Sequence, residues 1–314
     1  MTSYTLSRMA RAAITLLLIV SVAFVILRLS GDPALLIMSP DAPPEVLEQF
    51  RKAWGLDQPI WVQYLAYLKE VVKGNLGESM FDRRSALAVV LERVPATLSI
   101  TFPAFLLKLA IGIPAGAWAA LHRNSSTDRL TMIVSVAGYT IPSFVLGLVL
   151  VLVFSVWLGV LPSGGGGTWR HAILPIVTLG LAGAAIIARF TRSAMLEVLG
   201  QPYIRAARAK GVPWRRVVFL HALPNAAIPI VTLLGFLVGN LIAGAVLVEN
   251  VFAWPGIGRL LVNAVASRDL AVVQMILLLV GATMVAVNLL VDLAYGWIDP
   301  RMRSAALGEG RQRS

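Results

Sequence analysis

The chain has 314 residues, 58% of them apolar and only 14% charged, with a mean hydropathy of +0.79 and a formal net charge of +11. A water-soluble domain carries nearer a quarter charged residues, so lipid must solvate much of this surface. With no cysteine, a disulfide framework, Fe–S ligation and thiol catalysis are excluded.

Uncharged apolar windows long enough to cross a hydrocarbon core, about 20 residues, recur along the chain. The first is Ala12–Leu27, between Arg11 and Arg28. No small-x-small cleavage site follows it, so a retained first helix (residues 1–29) is expected rather than a cleaved signal. Residues 30–95 are hydrophilic and read as two amphipathic helices outside the membrane. One starts at Pro43-Pro44, with Val46, Leu47, Phe50, Ala53 and Trp54 on one face, and stops at Gly55. The other runs from about Pro59, with Trp61, Tyr64, Leu65, Leu68 and Val72 at helical spacing, and stops at Gly74. Such a segment either lies in the headgroup region or docks a partner.

Further spans are expected near Ala96–Leu121, Leu130–Leu158, Ala172–Ala188, Ala226–Val248 and Ala271–Trp297, making six with the first. Pro103, Pro114, Pro142 and Pro229 lie inside them, which requires neighbouring helices to satisfy the freed backbone groups. The second span carries one charge at depth, Lys108, either a functional group or a side chain that packs inward or reaches an acidic partner. Gly164–Gly167 lacks a following Lys-Ser/Thr, so it is not a phosphate-binding loop and reads as a flexible connection.

Six spans place both termini on one side. With the N-terminus inside, the inner pieces (the start, 122–129, 189–225 and the tail 299–314) hold 15 of the 27 Lys and Arg against four acids, whereas 28–95 has eight basic and nine acidic residues. This satisfies the positive-inside rule and accounts for the net charge without nucleic acid.

The inner loop 189–225 is long and basic enough to need its own structure. Pro202 suits a helix start, Ala206, Ala207 and Ala209 favour the helix, and Gly211 stops it. Pro213 opens a second short helix through Leu220, and Pro224 marks entry to the fifth span. Small residues on such an elbow permit close approach by another protein, which points to docking rather than catalysis.

In this loop the chain resembles the permease subunits of ABC importers, whose "EAA" motif reads Glu-Ala-Ala, three residues, Gly, nine residues, Ile-x-Leu-Pro. Here the same spacing carries Arg205-Ala206-Ala207, Gly211 and His221-Ala222-Leu223-Pro224, with Arg205 in place of Glu and His221 in place of Ile. Those departures are similar to the dipeptide/oligopeptide/nickel branch. So are Leu29-Ser30-Gly31-Asp32-Pro33, Gly55-Leu56-Asp57-Gln58-Pro59, Gly74-Asn75-Leu76-Gly77, Arg93-Val94-Pro95-Ala96-Thr97-Leu98, Thr191-Arg192-Ser193-Ala194-Met195, Glu249 through Gly258 and Asp299-Pro300-Arg301, which look like its first-permease (B-type) subunits.

The resemblance implies an all-α membrane protein of the type I ABC importer permease kind, in the bacterial inner membrane, with cytoplasmic termini and a five-helix core over 96–298. It implies pairing with a second homologous permease around the solute path. Two ATPase subunits holding ATP and Mg would dock on the loop, and an extracytoplasmic binding protein would deliver the solute. This chain would bind no cofactor or metal and would not itself be an enzyme. The expected coupling residues are Arg205, Ala206, Ala207, Gly211, His221 and Pro224. Peptides are the expected solute, with nickel chelates, glutathione and oligosaccharides as alternatives; a gradient-driven secondary transporter is the alternative of another class. Asn240, Glu249, Asn288 and Asp292 are candidates for the solute path or a gate. Asp292 equally suits pairing with Arg189 or Arg192, and Glu249 a capped helix end. The histidines His122, His171 and His221 lie in separate loops and suggest no metal cluster.

Overall fold

The computed structural model describes residues 2–29, 35, 43–53, 55–79 and 81–298. In chain order its helices are α1 Thr2–Leu29, α2 Pro44–Ala53, α3 Ile60–Val72, α4 Ala86–Leu91, α5 Val94–Leu121, α6 Ser126–Thr140, α7 Ser143–Val151, α8 Trp169–Leu199, α9 Pro202–Ala209, α10 Leu223–Gly239, α11 Val246–Val251, α12 Ile257–Ala266 and α13 Leu270–Ile298. Among the described residues there is no strand, only an isolated bridge between Glu78 and Ser85.

Three stretches are long and apolar enough to cross a membrane: Ala86–Leu121, Trp169–Leu199 and Leu270–Leu290. Two more qualify as bent pairs, Ser126–Thr140 with Ser143–Trp157 at 97° and Trp214–Ala227 with Pro229–Gly239 at 41°. α1 is a 28-residue helix whose apolar stretch, Met9–Val22, is shorter. Each expected span falls largely on helix, but the fifth, Ala226–Val248, leaves it after Gly239 for a turn over 240–242 and a 3-10 turn at Ala243–Ala245, and the third is sharply broken. Its break is at Ile141-Pro142, where the residue before proline is forced out of helical geometry and sits at ψ 118°.

The described residues form two compact units, one within Met1–Val94 and Leu260–Ser314 and the other Pro95–Arg259. In the first, α1 lies along α13, and a Cβ at Gly281 would overlap Ile19. α3 reaches α1 through Tyr64 and Tyr67, whose rings lie 5.2 and 5.4 Å from Phe24, and the Tyr64 hydroxyl is 2.5 Å from Ser21 Oγ. Burial, with Tyr64 beside it, pushes the Tyr67 hydroxyl up to about 12. This corrects the expected apolar face of α3: Tyr64 and Tyr67 turn toward α1, while Trp61, Leu65 and Val72 are exposed. The two glycine stops lie as expected. Gly55 and Gly74 have positive φ, and the residue after each donates to the carbonyl five back (Leu56 to Arg51, Asn75 to Glu70). Trp54 and most of 30–42 lie outside the described residues. Asp269 stands before α13, accepts the Val272 N–H and receives the buried Ser79 hydroxyl at 2.5 Å.

In the second unit α5 and α8 touch through glycine. A Cβ at Gly112 would come 2.7 Å from Ile187 Cβ, and one at Gly116 would come 2.7 Å from Thr191 Cβ. Gly112-x-x-x-Gly116 is the small-residue spacing that lets membrane helices approach closely. The glycine run 164–167 is corrected in the same way: it is a packed loop. A Cβ at Gly164 would lie 2.6 Å from the Phe252 carbonyl and one at Gly166 2.7 Å from Pro255 Cδ, while Gly165 N–H donates to Phe252 O at 2.8 Å. Phe252 is itself buried with Leu174 and Val248.

Candidate functional site

The 189–225 segment folds back onto its own helices. α9 is amphipathic: Ile204 is buried in a cluster with Ala120, Ala194, Met195, Val217, Val218, Ala222 and Ala226, while Arg205, Ala206 and Arg208 are exposed. Lys210 and Gly211 then close the helix. Gly211 has φ +79°, its N–H reaches Arg208 O at 3.0 Å, and Val212 N–H reaches Ala207 O at 3.2 Å. That paired closure needs a left-handed residue, which glycine adopts without steric strain. Beyond Pro213 the chain re-enters helix at Trp214, whose ring lies 5.1 Å from the Arg208 guanidinium carbon. An apolar seam thus holds the elbow to the helices while a basic rim of Arg205, Arg208, Lys210, Arg215 and Arg216 faces outward.

One expectation for the elbow differs. The second short helix does not stop before Pro224; helix is continuous over Trp214–Ala227, and the bend lies beyond it, before Pro229. The chain passes Pro224 by widening to a π-turn over Val217–Ala222, which relieves the clash of a proline ring with the preceding turn. Asn225 Nδ2 donates to the His221 carbonyl at 2.7 Å within this turn. His221 is half-buried at this turn and Pro224 is exposed.

A charge pair braces the helix that feeds the elbow. Arg192 of α8 grips Asp128 of α6 with two bonds, Nε to Oδ1 at 2.5 Å and Nη2 to Oδ2 at 2.8 Å. Asp128 also accepts the Asn124 N–H at 2.9 Å, and its own N–H is capped by Ser125 Oγ. Two residues on, Ala194 and Met195 support Ile204. Replacing Arg192 by Met should destabilise the unit by roughly 2–3 kcal/mol. That is below the range for a fully buried pair, because Arg192 keeps 22% of its side-chain surface exposed. Thermal unfolding in detergent checks this. Asp128→Asn combined with Arg192→Met should recover part of the loss, since no unpaired charge then remains.

The same unit has a half-open cavity of about 310 Å³ lined by α5, α6, α7, α8 and α10. Lys108, Thr101, Tyr139, Ser143 and Asn240 reach its wall among apolar and glycine positions, and no acid is among its lining residues. Asn240 lies at the end of α10, its amide donating to Phe236 O at 3.0 Å. Asn288 is exposed on α13, and the side chain of Asp292 lies outside the described residues, as do the tail 299–314 and Ser30 to Pro33. Arg192 is held by Asp128, and Arg189 lies 5.3 Å from the Tyr139 ring centroid.

Glu249 does not line this cavity. It is fully buried, and three donors converge on its carboxyl: Thr97 Oγ1 at 2.7 Å, Gly258 N–H at 2.7 Å and Arg259 N–H at 3.2 Å. The last two belong to the first turn of α12, so Glu249 caps the helix that follows its own. Thr97 Oγ1 also accepts the Ile257 N–H at 2.8 Å, and Trp254 Nε1 donates to Ala96 O at 2.7 Å. Between them α11 closes at Ala253, φ +50°, with Trp254 N–H on Glu249 O at 2.8 Å; the Arg259 guanidinium holds the Ala253 carbonyl at 2.6 Å. Gly256 has no room for a Cβ against the Glu249 carboxyl, nor Gly258 against Val246 Cα. Two motifs distant in sequence, at 93–98 and 249–258, thus form one hydrogen-bonded joint. Thr97 drew no attention by itself, because its partner is 152 residues away and nothing in the local pattern announces it.

Comparisons with known proteins agree with this architecture. Residues 112–304 match the family described as "Binding-protein-dependent transport system inner membrane component", and residues 1–101 match its N-terminal membrane component. Over 304 residues, 96% of this chain and 99% of the relative, it is 43% identical to the glutathione transport system permease protein GsiC of Escherichia coli (strain K12). The same protein from Shigella dysenteriae serotype 1 is also 43% identical, and that from Shigella boydii serotype 4 is 42% identical. Among solved structures, a chain of the inward-facing MetNI methionine ABC transporter superposes with a TM-score of 0.53 at 23% identity, covering 65% of this chain and 95% of that one.

Proposed function

Because the chain belongs to the binding-protein-dependent transport system inner membrane components, it is an inner-membrane permease subunit of an ABC importer, and we propose that it carries short peptides, glutathione among them. The observation that supports this cargo is the 43% identity, over nearly the whole of both chains, to glutathione permeases. Glutathione is a tripeptide, so this narrows the broader peptide expectation without leaving it. Membership of this family sets aside the gradient-driven carrier, and the chain is a transport component rather than a catalytic one.

ATPase and binding-protein partners follow from that membership. We further propose that this chain pairs with a second homologous permease and that two ATPases dock on the elbow. In that arrangement the N-terminus lies inside, α9 presents Ala206 to an ATPase groove while the half-buried Ala207 packs on the Ile204 seam, and Arg205 and Arg208 meet the groove's charged rim. The apolar seam under Ile204 would carry force from the docked ATPase into α8 and α10. The solute path would include the cavity that Asn240 borders. ATP binding favours one orientation of the permease only if the elbow contacts both parts.

Uptake by the assembled importer, expressed in cells stripped of their own peptide and glutathione importers, tests the cargo. Labelled glutathione or a di- or tripeptide should accumulate with dependence on ATP, and unlabelled peptides should compete. Accumulation of an oligosaccharide or a nickel chelate with no peptide uptake would overturn the cargo assignment.

A further inference from the structure

We propose that Lys108 is a transient counter-charge for the carboxylate of the cargo as it crosses the membrane, an inference that rests on the peptide reading above. Lys108 is the single charged side chain between Arg93 and His122, on a helix apolar enough to span a bilayer. Its stem lies on Gly183 of α8, where a Cβ would come 2.9 Å from Lys108 Cδ and Cε; the glycine leaves the room the lysine fills. Among the described residues it has neither an ion-pair partner nor a hydrogen bond. An ammonium placed within a span and left unpaired is retained only where it faces a cavity or meets an anion in the working protein.

The cavity supplies the first condition and the cargo the second. Around Lys108 the polar wall is neutral: Tyr139 and Ser143 bring hydroxyls and Asn240 an amide that suit peptide bonds, the Thr101 hydroxyl donates to Thr97 O, and no carboxylate competes for the ammonium. A volume of about 310 Å³ admits a short peptide segment rather than a folded chain. One cation among neutral hydrogen-bonding groups holds an anion weakly enough to release it, as a conducting site must. The feature common to dipeptides, tripeptides and glutathione that a cation reads is the carboxylate.

The test uses the complete importer in proteoliposomes with two variants, Lys108→Met and Lys108→Arg, matched for insertion and for ATPase recovery. Removing the charge should lower peptide uptake roughly ten-fold or more, whereas keeping it as arginine should retain uptake within about three-fold. In parallel, a carbodiimide is added to the wild-type importer during transport of a radiolabelled tripeptide with a free carboxylate, and Lys108 is mapped by mass spectrometry. The expected product is the tripeptide joined by an amide bond to Lys108 Nζ. Full uptake by Lys108→Met overturns the proposal. So does coupling of Lys108 to a carboxylate of another subunit, or no cargo adduct at Lys108 while transport continues. If the wild-type importer takes up no peptide at all, the cargo assignment fails instead.

Discussion

Replacing Glu249 by Ala should destabilise the chain by about 3–5 kcal/mol and abolish uptake, because it strands three donors at once, two of them buried. Thr97 Oγ1, Gly258 N–H and Arg259 N–H all end on that carboxyl, the first two buried and the third part-buried. Each buried donor left unmade costs about 1–3 kcal/mol, and the first turn of α12 loses the negative charge at its N-terminus as well. Gly256→Ala should be comparably severe, since the new methyl would occupy the space of the same carboxyl. Thr97→Val removes one donor and one acceptor and should cost less, about 2 kcal/mol. Thermal unfolding in detergent orders these variants. A Glu249→Ala chain that melts with the wild type and still transports would mean the joint bears no structural load.

Gly211→Pro is expected to abolish uptake while leaving membrane insertion and the melting of the helices nearly unchanged. A Cβ at Gly211 meets nothing within 4 Å, so the effect is conformational and not steric crowding. Proline fixes φ near −65°, whereas this residue sits at +79°, and it deletes the N–H that closes α9 on Arg208. Gly211→Ala keeps the N–H and should cost only about 1 kcal/mol, the strain of a left-handed alanine, with most uptake retained. Uptake and ATPase co-purification measured side by side separate the two variants. Normal uptake by the proline variant would sink the assignment of the elbow to coupling.

The glycine stops show why parts of the fold were legible. Gly55, Gly74 and Gly211 each follow an amphipathic run, and each closes its helix with a left-handed residue, a rule that operates within six residues. The elbow was readable for the same reason, since alanines, prolines and basic residues act locally. What the pattern could not convey is tertiary. The glycines at 164–167 look alike whether a loop is loose or packed, and only Phe252 and Pro255, far along the chain, decide between them. Glu249 suited a gate or a capped helix end equally; the partners that decide for a cap, Thr97 and the turn beyond Gly256, are set by folding. Arg192 suited Asp292 by position along the membrane normal, yet Asp128 takes it with two bonds. On α3, helical spacing grouped Trp61 and Leu65 with Tyr64, but hydroxyl and ring contacts from Ser21 and Phe24 turn the tyrosine side inward instead.

The most direct measurement is a gentle-detergent pull-down of the tagged chain from its native membrane, with mass spectrometry of what co-purifies. A second permease of the same family together with P-loop ATPases is the expected result. Recovery of the chain alone, or only with copies of itself, from a preparation that still transports peptide would contradict an ATP-driven importer built around this subunit.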